Sequence, residues 1–151
     1  LASNHLMLTV GDLSMTVRVI EGKFPEYQRV ITLNMPFVLA VDKSSLATGL
    51  SRVAILANEK LRGVRINIQA TQIELTTNNP EQDEADEIVD ANYNGSDITT
   101  GFNLRYLQDI IAVLPHEVAM IRFRDGNSAC LTSYQLGDDI SIDQVVMPMR
   151  I

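Results

Sequence analysis

Two strand-like runs rich in apolar residues, "HLMLTV" and "LSMTVRVIEG", flank Gly11-Asp12. This pattern predicts a β-hairpin. "GKFPEYQRVI" follows, and Pro25 interrupts any helix or central strand there, so the stretch reads as a linker feeding a new unit. "FVLAV" (37–41) is a short strand. The spacing then turns helical in "DKSSLATGLSRVAILANEKLRG", with Asp42 or Ser44 as the cap. "GVRINIQA" and "QIELTTN" return to alternation around a tight turn at Ala70-Thr71. "ADEIVDANY" comes next, and Asn94-Gly95 predicts a hairpin turn into "DITTGFN". A second helix, "LRYLQDIIAVL", stops at Pro115, and "VAMIRFRD", "SACLTSY" and "ISIDQVVMPM" supply the last strands.

Written as elements, residues 37–151 run strand, helix, three strands, and then the same again. A duplication of this length predicts two similar halves about a pseudo-twofold, with two helices on one side of a continuous antiparallel sheet. The fold class is α+β, built from duplicated βαβββ halves. At 100° per residue, Leu46, Leu50, Val53, Ala54 and Ala57 form the core stripe of the first helix. Ile55 falls nearly opposite, with Thr48 and Arg52, and Leu56 lies at the flank. A single exposed Ile is ordinary, whereas an Ile-Leu pair leaving the stripe beside an acidic segment reads as a docking patch. In the second helix Leu104, Leu107, Ile111 and Leu114 face inward and Arg105, Gln108 and Ala112 outward.

The net charge of -7 argues against a tight nucleic-acid binder. It is unevenly spread. "EQDEADE" (81–87) holds five acids, while Lys43, Arg52, Lys60, Arg62 and Arg65 lie in or just after the first helix. The acidic run is either a solvated face or a partner-directed patch. Cys130 is the single cysteine, which fits a reducing cytoplasm and leaves no internal disulfide to form. No secretory signal or membrane span is visible. The chain opens on Leu1, not Met, and its first ten residues already read as strand, so a start inside a longer protein is expected.

Catalytic and metal chemistry finds little footing. His5 and His116 are far apart, and neither sits in a metal-ligand spacing or beside Cys130. There is no GxGxxG and no P-loop, and pairs such as Asp138-Asp139 are ordinary in acidic loops. The terminal "QVVMPMRI" admits two readings: a last strand that closes a sheet, or an adaptable contact surface in which two Met around Pro148 repack around different shapes.

Taken together, "EGKFPEYQRV", "ANEKLRGVRINI", "TNNPEQDEADEI", "GFNLRYLQDII" and the terminal "VVMPMRI" strongly resemble the bacterial DNA polymerase III beta subunit family, the replication sliding clamps. The resemblance implies a DNA-clamp fold. Residues 1–24 would be the closing hairpin of the second clamp domain, 25–36 a linker and groove edge, and 37–151 the third domain. It implies a non-catalytic processivity factor with no cofactor and no metal. Two chains form a head-to-tail ring around duplex DNA, in a cytoplasmic, nucleoid-associated setting. The partners would be duplex DNA, held by topology and not by sequence, and the polymerase III catalytic subunit, the clamp loader and repair polymerases, which dock through short linear motifs.

By the same resemblance, the motif groove maps to Pro25, Arg29, Val30, Asn103, Tyr106, Val145, Met147, Pro148, Met149 and Arg150. Asn127 and Ala129 depart from the groove-lining residues expected there. The subunit interface maps to Ile55, Leu56, Glu81, Asp83, Glu84, Asp86 and Glu87. Lys43, Arg52, Lys60 and Arg105 are the candidates for facing phosphates. This segment alone is expected to be monomeric or weakly self-associated. Two other classes fit the bare pattern: a stand-alone peptide- or ligand-binding α+β module, and a hydrolase using His116 with a nearby acid.

Overall fold

The computed structural model describes residues 4–23, 26–31, 34–58, 61–81 and 83–150, with the backbone alone at Arg29 and Val30. Pro25 and Lys60 therefore lie outside the described residues. The first two strands, β1 (His5–Val10) and β2 (Leu13–Arg18), pair antiparallel from His5↔Arg18 to Val10↔Leu13. The turn between them is closed by Gly11 in the left-handed region, φ 57°, where a side chain would be strained. Every residue of this ribbon is exposed, its Leu, Met and Val included, and it forms a sheet of its own. A short helix, α1 (Gln28–Ile31), follows in the linker.

The next ten elements reproduce the expected duplication. The first half is β3 (Phe37–Asp42), α2 (Lys43–Val53), β4 (Gly63–Ile68), β5 (Gln72–Asn78) and β6 (Glu84–Tyr93). The second half is β7 (Ile98–Asn103), α3 (Leu104–Val113), β8 (Val118–Phe123), β9 (Cys130–Leu136) and β10 (Ile140–Val146). The eight strands form one antiparallel sheet in the order β10-β9-β8-β3-β6-β5-β4-β7. In each half the strand before the helix pairs with the strand that follows the other half's helix, β3 with β8 and β7 with β4. This exchange interlocks the halves.

The pairing corrects one sequence expectation. Asn94-Gly95 does not close a hairpin, because β6 pairs with β5 and β3 while β7 lies at the far edge beside β4. Asn94 instead fastens the seam. Its side-chain oxygen accepts from the Val38 N–H at 2.7 Å, and its own N–H donates to the Val38 carbonyl at 3.3 Å. A Cβ on Gly95 would lie 2.6 Å from the Tyr93 ring and 2.8 Å from Phe37, so glycine is required by proximity. Phe37, Tyr93 and Phe123 stack edge-to-face across this seam, with ring centroids 6.3 and 6.4 Å apart.

The two long helices start alike. The Asp42 carboxylate accepts from the Ser45 N–H at 2.7 Å, and the Asn103 side chain from Arg105 and Tyr106 at 3.0 and 3.3 Å. Leu46, Leu50 and Val53 of α2 and Leu104, Leu107 and Ile111 of α3 fill the core over Ile66, Ile68, Ile73, Leu75 and Phe102. Burying a side chain such as Leu50 contributes about 2 kcal/mol. The helix predicted to run beyond residue 57 ends at Val53, and Ala54 and Ala57 pack at the core's margin. Gly49 lets α2 settle close, since a Cβ there would meet Val89, Leu75 and Glu87 at 3.0 to 3.3 Å. Among the described residues no helix is long and apolar enough to cross a membrane.

The sheet curls until its ends meet. The Met149 N–H donates to the Gly101 carbonyl of β7 at 2.8 Å, so the chain's tail extends the far edge. The β8–β9 loop seats against the same strand, where a Cβ on Gly126 would lie 2.3 Å from the Thr99 carbonyl oxygen.

Candidate functional site

Three surfaces gather the residues singled out from the sequence. The first is the tail. On β9 and β10 alternation sends Cys130 and Val146 into the main core and their neighbours Leu131 and Val145 to the opposite face of the sheet. There Leu131 and Val145 stand directly across from each other and pack with Met35 and Ala129 in a second, smaller apolar cluster. Helix α1 lies against β10. Beyond Val146 the chain leaves the ladder with Met147 64% exposed, Pro148 and Met149 half-buried and Arg150 exposed.

The Met149–Gly101 bond holds this tail two residues from Asn103, and Asn103 fixes the first turn of α3, where Tyr106 is exposed. Val145, Met147, Met149, Asn103 and Tyr106 are thus brought to one edge of the domain. The side chains of Arg29 and Val30 lie outside the described residues, as Pro25 does. Met35 and Leu131 were missed by sequence reading. Leu131 was accessible to it, because the alternation in "SACLTSY" separates it from Cys130.

The second surface lies at the end of α2. Ile55 is 80% exposed and Leu56 half-buried. With Asn58 and the turn Asn79-Pro80-Glu81 they line an open depression of about 530 Å³. The acidic run does not act as one patch, because strand alternation divides it. Glu81 is on the rim of the depression. Asp83 is bound into its own turn: its N–H donates to the Asn79 side chain at 2.8 Å, and its carboxylate accepts from Asn79 at 3.0 Å. Glu84 and Asp86 are exposed on the sheet face away from the helices. Glu87 points the other way and pairs with Arg52 of α2 at 2.6 Å.

The third surface is the outer face of the helices. On α2 Ser44, Ser45, Thr48 and Ser51 are exposed, so its outer face is short-chained and rich in hydroxyls, whereas α3 exposes Arg105, Tyr106 and Asp109. Two of the four candidate cations are committed elsewhere. The Lys43 ammonium donates to the Ala112 and Leu114 carbonyls at 3.2 and 2.5 Å, closing the C-terminus of α3. Arg52 is held by Glu87 in a pair so exposed that it contributes about 0.5 kcal/mol. Arg105 is exposed, and on the two long helices it is the basic side chain without a partner among the described residues.

The Asp42 carboxyl is held at about 2, below its ordinary 3.8, first by the Ser44 hydroxyl and then by the Ser45 N–H. Burial pushes the Cys130 thiol up to about 12. His116 is exposed beside Asp42, Lys43 and Glu117 around a shallow depression.

A family model described as DNA polymerase III beta subunit, C-terminal domain, matches residues 28–150. This chain belongs to that family. The beta sliding clamp of Pseudomonas putida is 39% identical over 151 residues, covering 100% of this chain and 41% of that protein. The Escherichia coli beta sliding clamp is 38% identical over 153 residues with the same coverage. The crystal structure of the Pseudomonas aeruginosa DNA polymerase sliding clamp with ligand superposes with a TM-score of 0.84 at 38% identity, covering 100% of this chain and 41% of that one. The chain thus spans about two fifths of the length of these family members, and the duplicated βαβββ unit lies within the residues that the family model matches.

Proposed function

We propose that this chain is the C-terminal part of a sliding-clamp subunit, with residues 1–24 the closing hairpin of a middle domain, 25–36 a linker and groove edge, and 37–151 the third domain. Two subunits close head to tail around duplex DNA and tether the replicative polymerase, the clamp loader and repair polymerases without catalysing a reaction. The reading rests chiefly on the family match over residues 28–150. Three features support it. Helix α2 gives an outer face of exposed Ser and Thr, and α3 offsets Arg105 with Asp109, which suits a ring that keeps DNA by topology, where strong phosphate contacts would impede sliding. The Ile55 depression, rimmed by Glu81, suits the apolar and basic surface of a second subunit. The Met147-Pro148-Met149 tail above the Val145–Leu131–Met35 cluster suits short apolar motifs of varied shape.

A full-length subunit containing this sequence provides the test. Loaded by its clamp loader, it should remain on nicked circular DNA through gel filtration and be lost once the circle is cut. Equal retention on both forms would rule out an encircling ring.

A further inference from the structure

Helix α2 stops earlier than its sequence pattern predicts, and one buried hydroxyl accounts for the stop. Thr77 on β5 is 2% exposed, and its Oγ1 donates to the Val53 carbonyl at 2.8 Å. In a continuing helix that carbonyl would take the N–H four residues on, at Ala57. Here the Ala57 N–H goes to Ala54 at 3.3 Å, and the Ile55 N–H goes to Arg52 at 3.2 Å, so the chain tightens into short-range turns. Thr77 lies two residues before Asn79, so this bond ties together the two walls of the depression: Ile55–Asn58 on one side, Asn79–Glu81 on the other. The exposed Arg52–Glu87 pair is a second, weaker tie between α2 and the sheet.

We infer that Thr77 is a positioning residue for subunit association: it ends α2 and sets the presentation of Ile55 and Leu56 without touching the partner. This rests on the proposal that the Ile55 surface is a subunit interface. The same core holds a control. Thr100 is buried to a similar degree, 4% exposed, and its hydroxyl has no hydrogen-bond partner.

The experiment compares Thr77→Val, Thr77→Ser, Thr100→Val and Ile55→Ser in the full-length two-chain protein. It measures the ring's dissociation constant by sedimentation, and amide exchange at residues 54–57. Thr77→Val should raise the dissociation constant about tenfold, as losing one buried hydrogen bond does, and speed exchange at 54–57. Thr77→Ser should restore both, and Thr100→Val should change neither. Should the valine variant not fold, Thr77→Ala serves in its place. A dissociation constant for Thr77→Val within twofold of the parent, with Ile55→Ser strongly weakened, overturns the role of Thr77 alone. An unchanged Ile55→Ser variant overturns the interface reading and the inference with it.

Discussion

The Lys43 ammonium sits 2.5 Å from the Leu114 carbonyl, so the first residue of α2 closes the end of α3. The contact joins the two halves of the duplication at the helical layer, opposite the Phe37–Tyr93–Phe123 seam in the sheet. It satisfies carbonyls that a helix end otherwise leaves open. Lys43→Met keeps the aliphatic stem and removes the donor. It should cost about 1–2 kcal/mol in urea unfolding and leave DNA retention by the full-length ring unchanged. Unaltered stability with lost retention would return Lys43 to a phosphate-facing role.

Acid should weaken the domain through Asp42. Its folded-state pKa of about 2 lies below the ordinary 3.8, so its contribution is present above 3.8 and lost as the pH falls from there through about 2. Asp125 is lowered in the same direction, by the Ser128 hydroxyl and then the Asn127 N–H, and adds to the loss. Asp42→Asn keeps a capping oxygen but does not titrate. Its melting temperature should fall less steeply than the parent's across that window, and the Asp42→Asn, Asp125→Asn pair less steeply still. Parallel curves would contradict the assignment.

The β8–β9 loop comes close to β7 at Gly126. An alanine methyl there would press on the Thr99 carbonyl, a backbone atom that cannot swing aside. Gly126→Ala should therefore cost about 2–3 kcal/mol, read as a lowered melting temperature. Gly137→Ala, in an open turn at φ 67°, tests backbone strain without a clash and should cost about 1 kcal/mol.

If the tail is the landing site for linear motifs, Met147 should matter more than a charged residue on the helical face. Titration with a client-motif peptide should show a larger loss of affinity for Met147→Ala than for Asp109→Ala. Equal losses would remove the tail from the groove.

Cys130 reports on the core. It is fully buried, and desolvation pushes its thiol up to about 12, so little thiolate forms at neutral pH. Iodoacetamide should label it only as the chain unfolds, with a rate that follows denaturant concentration. Rapid labelling of the native protein would mean that the β9 core is open.

The sequence by itself determined most of the elements and their inward faces, though neither α1 nor the end of α2 at Val53. Periods of 2 and 3.6 are local properties of the backbone, so the strands, the stripe through Leu46, Leu50 and Val53, the Asp42 cap and the exposure of Ile55 were all legible. So was the repeat, because each half writes the same order of periods. Only the tertiary structure decided which strands pair. Asn94-Gly95 has the local chemistry of a hairpin, but burial of both halves was satisfied by β7 crossing to β4, and Asn94 was left to bond Val38. It also decided where charges and hydroxyls are used. Lys43 at Leu114, Arg52 at Glu87 and Thr77 at Val53 meet partners 71, 35 and 24 residues away in the chain. Hydrogen-bond partners are chosen by proximity in the folded state, and no local pattern encodes that.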